Sequence, residues 1–170
     1  MGGQLAADLA ARWPAQVRSL TLIEPHGLAA SEVTPFEASI RHGSVPLIVT
    51  DADGYERFLD LVFVNRPYLP GPIHRALRAQ MIARAPLWAR IWNEVRPDAA
   101  SLDGLLPLIH APTLILWGDS DRVFPRSVVP ALERGLARHQ TVVLSGCGHA
   151  AMMEQPAVAA RHWQRFLEGL

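Results

Sequence analysis

The chain has 170 residues, 49% of them hydrophobic, and its 16 basic and 16 acidic side chains cancel. That composition supports one globular domain of ordinary size and excludes disorder. It also excludes a long-range electrostatic pull on nucleic acid or an anionic membrane, and no apolar run reaches the roughly 18 residues that a spanning helix needs.

The stretch "MGGQLAADLAARWP" starts in helix-forming residues at once, with an apolar repeat at Leu5, Ala6, Leu9 and Trp13 behind a glycine pair. Next, "VRSLTLIEP" is a short apolar run between Pro14 and Pro25, which predicts a buried strand from Leu20 to Ile23. From about His26 to His110 no buried-strand pattern appears. "DADGYERFLDLVFV", capped by Asp51 or Asp53, and "PIHRALRAQMIARAPLWARIWNEV" read as helical, with the proline-rich hinge "NRPYLPGP" between them. A crossover between neighbouring parallel strands needs only about a dozen residues. This one is several times longer, which predicts an inserted helical subdomain.

The rest of the chain alternates again. "PTLILWG" is a second buried strand, and "RSVVPALERGLARH" an amphipathic helix with Ser127 as N-cap and Pro130 tolerated in its first turn. "TVVL" is a third strand. "QPAVAARHWQRFLEGL" closes the chain as a helix with Val158, His162, Phe166 and Leu170 one turn apart. Strands alternating with helices predict an α/β fold with a parallel sheet and right-handed crossovers. Three parts are expected: a core helix and strand over 1–25, the helical insertion over 26–110, and the rest of the core over 111–170.

In open parallel sheets, functional groups collect beyond the carboxyl ends of the strands. "LILW" runs into Gly118-Asp119-Ser120-Asp121, and "TVVL" into Ser145-Gly146-Cys147-Gly148-His149. An acid and a histidine on neighbouring loops suit an Asp that accepts the imidazole proton, fixes its tautomer and stabilises its charged form. Other reactive groups read as structural. Glu24 follows the first strand, and Cys147 is a small packing residue. Ser120 and Ser145 lie near the right edge but on no nucleophile elbow. His26, His42, His74, His110, His139 and His162 show no metal-ligand spacing, so neither a metal nor a cofactor is expected. Arg75, Arg78, Arg84 and Arg90 read as a solvated helix face. Phe58, Leu59, Val62, Phe63, Trp88 and Trp92 read as holding the insertion to the sheet, some of them lining a pocket. The single cysteine excludes an intrachain disulfide and fits a cytoplasmic location; no signal peptide is visible.

"LILWGDSDRVFP", "VVLSGCGHAAMMEQP" and the closing helix, together with the opening "MGGQLAADLAARWPAQVRSLTLIEPHG", resemble the α/β-hydrolase family. The wording looks most like lipases and esterases of the monoacylglycerol-lipase type. The family's nucleophile elbow has the form G-x-S-x-G, often G-x-S-M-G-G, and Met1-Gly2-Gly3 match its last three letters. The resemblance implies a partial α/β-hydrolase fold, its C-terminal portion with a helical lid. It implies Asp121 as the acid, His149 as the base, Met1 as a backbone oxyanion donor and Asp119 as a turn residue only. The nucleophilic serine would stand immediately before Met1, so this chain alone is expected to be inactive. The implied chemistry is hydrolysis of small lipophilic carboxylic esters, with no cofactor, nucleic-acid partner or membrane span. Self-association through an open sheet edge is a further expectation. Two alternatives stay open: a hydrolase of carbon–carbon bonds in aromatic ring-cleavage products, and a non-catalytic truncated hydrolase.

Overall fold

In the computed structural model, described for residues 2–28, 30, 32–95 and 101–170, three parallel strands form a sheet in the order β1-β2-β3. They are β1 (Leu20–Ile23), β2 (Thr113–Gly118) and β3 (His139–Leu144). Leu20 pairs with Thr113, and Thr113 with His139, so the three carboxyl ends lie at one edge. β2, the centre, is buried at every position, whereas β1 alternates and β3 is largely uncovered. β3 begins two residues before "TVVL" because His139 and Gln140 pair with Thr113 and Leu114. That extension is made by backbone hydrogen bonds, which side-chain apolarity does not announce.

Helix α1 (Gly2–Arg12) packs on β1 with a face other than the expected one. Ala7 and Ala10 are buried, while Leu5, Leu9 and Trp13 are 66%, 50% and 47% exposed. The reason is proximity. A Cβ on Gly3 would lie 2.9 Å from Pro25 Cβ, so the side facing the strand admits only small residues. The larger side chains turn away from it.

Between β1 and β2 lie four helices: α2 (Pro35–Arg41), α3 (Ala52–Val62), α4 (Gly71–Ala83) and α5 (Ala85–Val95). α2 has no counterpart in the sequence reading, although its start carries a cap signal. Thr34 Oγ1 accepts from Glu37 N–H at 3.1 Å, and Pro35 stands in the first turn. Asp51, and not Asp53, caps α3, its Oδ1 accepting from Gly54 N–H at 2.6 Å. The long helical stretch divides at Arg84 into α4 and α5, because Pro86 has no N–H to continue the first helix. Phe36, Tyr55, Leu59, Val62 and Phe63 of this segment share a core cluster with Val123 and Ala150. These helices are thereby packed onto the loops that follow β2 and β3.

The C-terminal helices are α6 (Val129–Gly135), α7 (Ala151–Glu154) and α8 (Pro156–Glu168). α6 is shorter than expected, and Ser127 does not cap it. A 3-10 turn over Arg126–Val128 takes up that stretch, and Val128 precedes the helix without a side-chain bond. On α8, Ala159 and Phe166 are buried, Val158 and His162 are half-buried, and Leu170 lies exposed beyond the helix end. Phe166 packs on Leu114 and Leu116, the opposite face of β2 from α1. No helix among the described residues is long and apolar enough to cross a membrane.

The two opening glycines differ in a testable way. A Cβ on Gly2 meets nothing within 4 Å, whereas one on Gly3 meets the rigid Pro25 ring. Gly3→Ala is expected to destabilise the chain by about 1–3 kcal/mol, and Gly2→Ala to leave it unchanged or slightly stabilised. Paired thermal melts decide this.

Candidate active site

Asp121 and His149 meet at the carboxyl edge of the sheet. Asp121 Oδ2 lies 2.9 Å from His149 Nδ1, and the carboxylate is fully buried while the ring is 23% exposed. A carboxylate only accepts, so Nδ1 carries the proton and Nε2 keeps its lone pair. Asp121 is aimed by its own loop: Oδ1 accepts from Val123 N–H at 2.8 Å and Phe124 N–H at 3.1 Å. The His149 ring lies edge-to-face on Phe124 at 5.2 Å, and its backbone N–H donates to Val62 O at 2.8 Å.

The histidine loop is folded hard against β2. A Cβ on Gly118 would sit 2.2 Å from Gly148 O and 2.4 Å from Cys147 O, both backbone atoms. Only glycine fits there. Two carboxylates pin the loop further. Asp119 Oδ1 accepts from Gly146 N–H at 2.9 Å and from the Ser120 hydroxyl at 2.8 Å. That hydroxyl bond, with the loop amides, holds the Asp119 carboxyl below its usual range. Glu154 Oε1 accepts from Gly148 N–H at 2.7 Å, and its Oε2 from Asn65 N–H at 2.8 Å. Asp119 is thus a turn residue that also holds a neighbouring loop, and Glu154 joins the histidine loop to the end of α3. Sequence reasoning missed Glu154. Its one signal is position, five residues after His149 on the same side of the sheet.

The remaining reactive groups take settled places. Burial pushes the Cys147 thiol up to about 12, so it is not a nucleophile. The Ser120 hydroxyl is spent on Asp119. Arg75, Arg84 and Arg90 are exposed and Arg78 is half-buried. Met1, expected as an oxyanion donor, lies outside the described residues. Leu59, Val62 and Phe63 are core residues, whereas Trp88 and Trp92 line a cavity of about 780 Å³ that His149 also borders. Phe36, Ile40, Leu47 and Val123 line it too. His26 borders it beside Phe124, its pKa lowered by burial.

Glu24, read from sequence as structural, sits beside the pair. It is 3% exposed, and its Oε1 accepts from Gly118 N–H at 2.9 Å. Burial pushes its carboxyl from 4.5 to about 7; Asp121 adds to the rise, while His149 and the Gly118 amide oppose it. Glu24, Asp121 and His149 each offer a ligand atom, all within 4.8 Å of one another. A cation there would compete with the Asp121–His149 hydrogen bond for the same Nδ1.

The model of the alpha/beta hydrolase fold matches residues 75–156, a span that holds Asp121, His149 and Glu154. The solved structure of a membrane phospholipase A, described as a bacterial virulence factor, superposes with a TM-score of 0.96 at 38% identity. The match covers 98% of this chain and 54% of that one. The fold is that of the α/β hydrolases, present in part. Monoacylglycerol lipase ABHD6 of Mus musculus is 31% identical over 95% of this chain and 51% of its own length. Lipase 3 of a Moraxella species is 23% identical over 100% of this chain and 54% of its own. The chain therefore spans about half the length of these relatives and presents part of the α/β-hydrolase fold: three parallel strands, their helices and the long helical connection.

A carboxyl whose pKa rises on folding holds its proton more tightly in the folded chain. Stability from Glu24 is therefore full below pH 4.5 and is lost as pH rises through about 7. Across that window the loss is at most about 3–4 kcal/mol, at about 1.4 kcal/mol per unit. Glu24→Gln removes it. The difference in Tm between wild type and Glu24→Gln is expected to move against wild type between pH 5 and pH 8; a constant difference refutes this.

Proposed function

We propose that this chain carries the acid, the base and the acyl-binding wall of a serine-type hydrolase of lipophilic carboxylic esters. The observation that carries the proposal is the 2.9 Å Asp121–His149 contact at the border of the 780 Å³ cavity. Nδ1–H is committed to Asp121, so Nε2 is free to take the proton of a serine hydroxyl as it attacks an ester carbonyl. Asp121 stabilises the imidazolium that results, and the ring then returns the proton to the leaving alcohol. The Val123 and Phe124 amides hold Asp121 in place through both transfers. The chemistry is proton transfer and acyl transfer, and calls for no cofactor.

Substrate class follows from the lining. Phe36, Ile40, Leu47, Trp88, Trp92 and Val123 form an apolar wall, which suits an acyl chain better than the dicarboxylate or dienol of the carbon–carbon alternative. The names of the lipase relatives support the same reading. In it, α2–α5 act as the lid. The reading requires a serine hydroxyl within reach of Nε2, on an elbow of the form G-x-S-x-G whose last three letters in the form G-x-S-M-G-G Met1-Gly2-Gly3 match.

Hydrolysis of p-nitrophenyl esters tests the proposal. The 170-residue chain is expected to show no turnover, since loss of the nucleophile removes about 10⁶ in kcat. A polypeptide read from further upstream is expected to contain Gly-x-Ser, to prefer longer acyl chains, and to lose about 10⁴ in kcat on Asp121→Asn. Turnover by the 170-residue chain that disappears with His149→Ala would refute the placement of the serine. An inert Gly-x-Ser-containing form would refute the hydrolase reading.

A further inference from the structure

Glu24 combines three features that a simple strand-end residue does not need. Its φ is 47°, the single positive value among the described non-glycine residues, in a region that non-glycine side chains rarely adopt. Its side chain is 1% exposed, and its Oε2 has no hydrogen-bond partner among the described residues. That same Oε2 lies 4.0 Å from His149 Nδ1. The bond from Gly118 N–H to Oε1 explains one oxygen; the other is buried with no partner at hydrogen-bond geometry, 4.0 Å from the imidazole, and the Ala151 amide near the carboxylate only opposes its rise in pKa. Buried orphan oxygens and strained backbone both point to a role beyond packing.

We propose that Glu24 is a positioning residue for His149: a second carboxylate beside Asp121 that accepts the Nδ1–H hydrogen bond when Asp121 does not hold it. Two buried acids this close resist ionising together. Asp121, with two amides on Oδ1, is the better-stabilised anion and takes the hydrogen bond at rest. Glu24 then keeps its proton up to about pH 7. If Asp121 is lost, the like charge goes with it. Glu24 releases its proton to solvent and turns its ionised Oε2 to Nδ1–H. The other acidic group near it, the Cys147 thiol, stays neutral throughout. The device keeps the imidazole in one tautomer with Nε2 unprotonated.

The inference rests on the Asp121–His149 pair of the proposed function, and its test does not use ester hydrolysis. In the 170-residue chain with ¹⁵N-labelled histidine at pH 8.5, the ring nitrogen shifts report which nitrogen carries the proton. Wild type is expected in the Nδ1–H form. Asp121→Ala is expected to keep Nδ1–H as the major form, and Asp121→Ala with Glu24→Gln to lose it. An Asp121→Ala ring already in the Nε2–H form, unchanged by Glu24→Gln, would overturn the role of Glu24 alone. A wild-type ring in the Nε2–H form would overturn the pair itself and the inference with it. Where Asp121→Ala does not fold, Asp121→Ser takes its place: its hydroxyl can accept from the Val123 and Phe124 amides, and it sets no amide N–H against Nδ1 as asparagine would. Glu24→Gln keeps the oxygen that Gly118 needs, so its effect on the tautomer is separable from the loss of that contact.

Discussion

β2 ends on a residue with no room for a Cβ. The carbonyls of Cys147 and Gly148 lie where a Gly118 side chain would begin, so two strand-end loops touch backbone to backbone. At that separation the imidazole of His149 has one place to go, over the Asp121 carboxylate. The site depends on this contact more than on any single hydrogen bond. A backbone clash cannot be relieved by a rotamer change, so any side chain at 118 would push the histidine loop off the strand.

Carboxylates do most of the fastening around it. Asp119 reaches from the acid loop to the histidine loop, Glu154 reaches from α7 to the end of α3, and Glu24 reaches from β1 to the end of β2. Each accepts backbone N–H groups of a different segment. For Asp119 and Glu154 such charge-assisted bonds are worth about 1.5–3 kcal/mol apiece and restrain direction as well as distance. Three unconnected stretches of chain thereby converge on one imidazole, although none of these three acids makes its shortest contact with it.

The long connection between β1 and β2 is part of that frame. Thr34 Oγ1 donates to Val123 O, and the Arg122 guanidinium donates to Asp60 O, which ties α2 and α3 to the acid loop. Val62 O accepts from His149 N–H and ties α3 to the histidine loop. The segment that supplies the cavity wall also braces the residues beneath it. Movement of α3 would be felt at the imidazole; α4 buries no residue fully and leans on α3 through His74 against Tyr55 and through Met81 and Ile82.

The sequence by itself determined the three strands, the parallel order and the two loops that bring Asp121 and His149 to one edge. Buried strands announce themselves through unbroken apolar runs such as "TLILW", and strand-end loops are placed once the strands are known. The cap of α3 was readable down to two neighbours, Asp51 and Asp53, and the structure chose Asp51, which bonds an amide three residues away. What only the tertiary structure decided were matters of approach between distant segments. Leu5, Leu9 and Trp13 form a convincing apolar repeat, yet the sheet takes Ala7 and Ala10, on a helix whose first turn lies so close to Pro25 that Gly3 has no room for a Cβ. The cross-loop fastening by Asp119 and Glu154, and the placing of Glu24 beside His149, depend on distances that no local pattern encodes. Periodicity reports which residues avoid water; it does not report how near two backbones come, and in this chain that nearness sets the site.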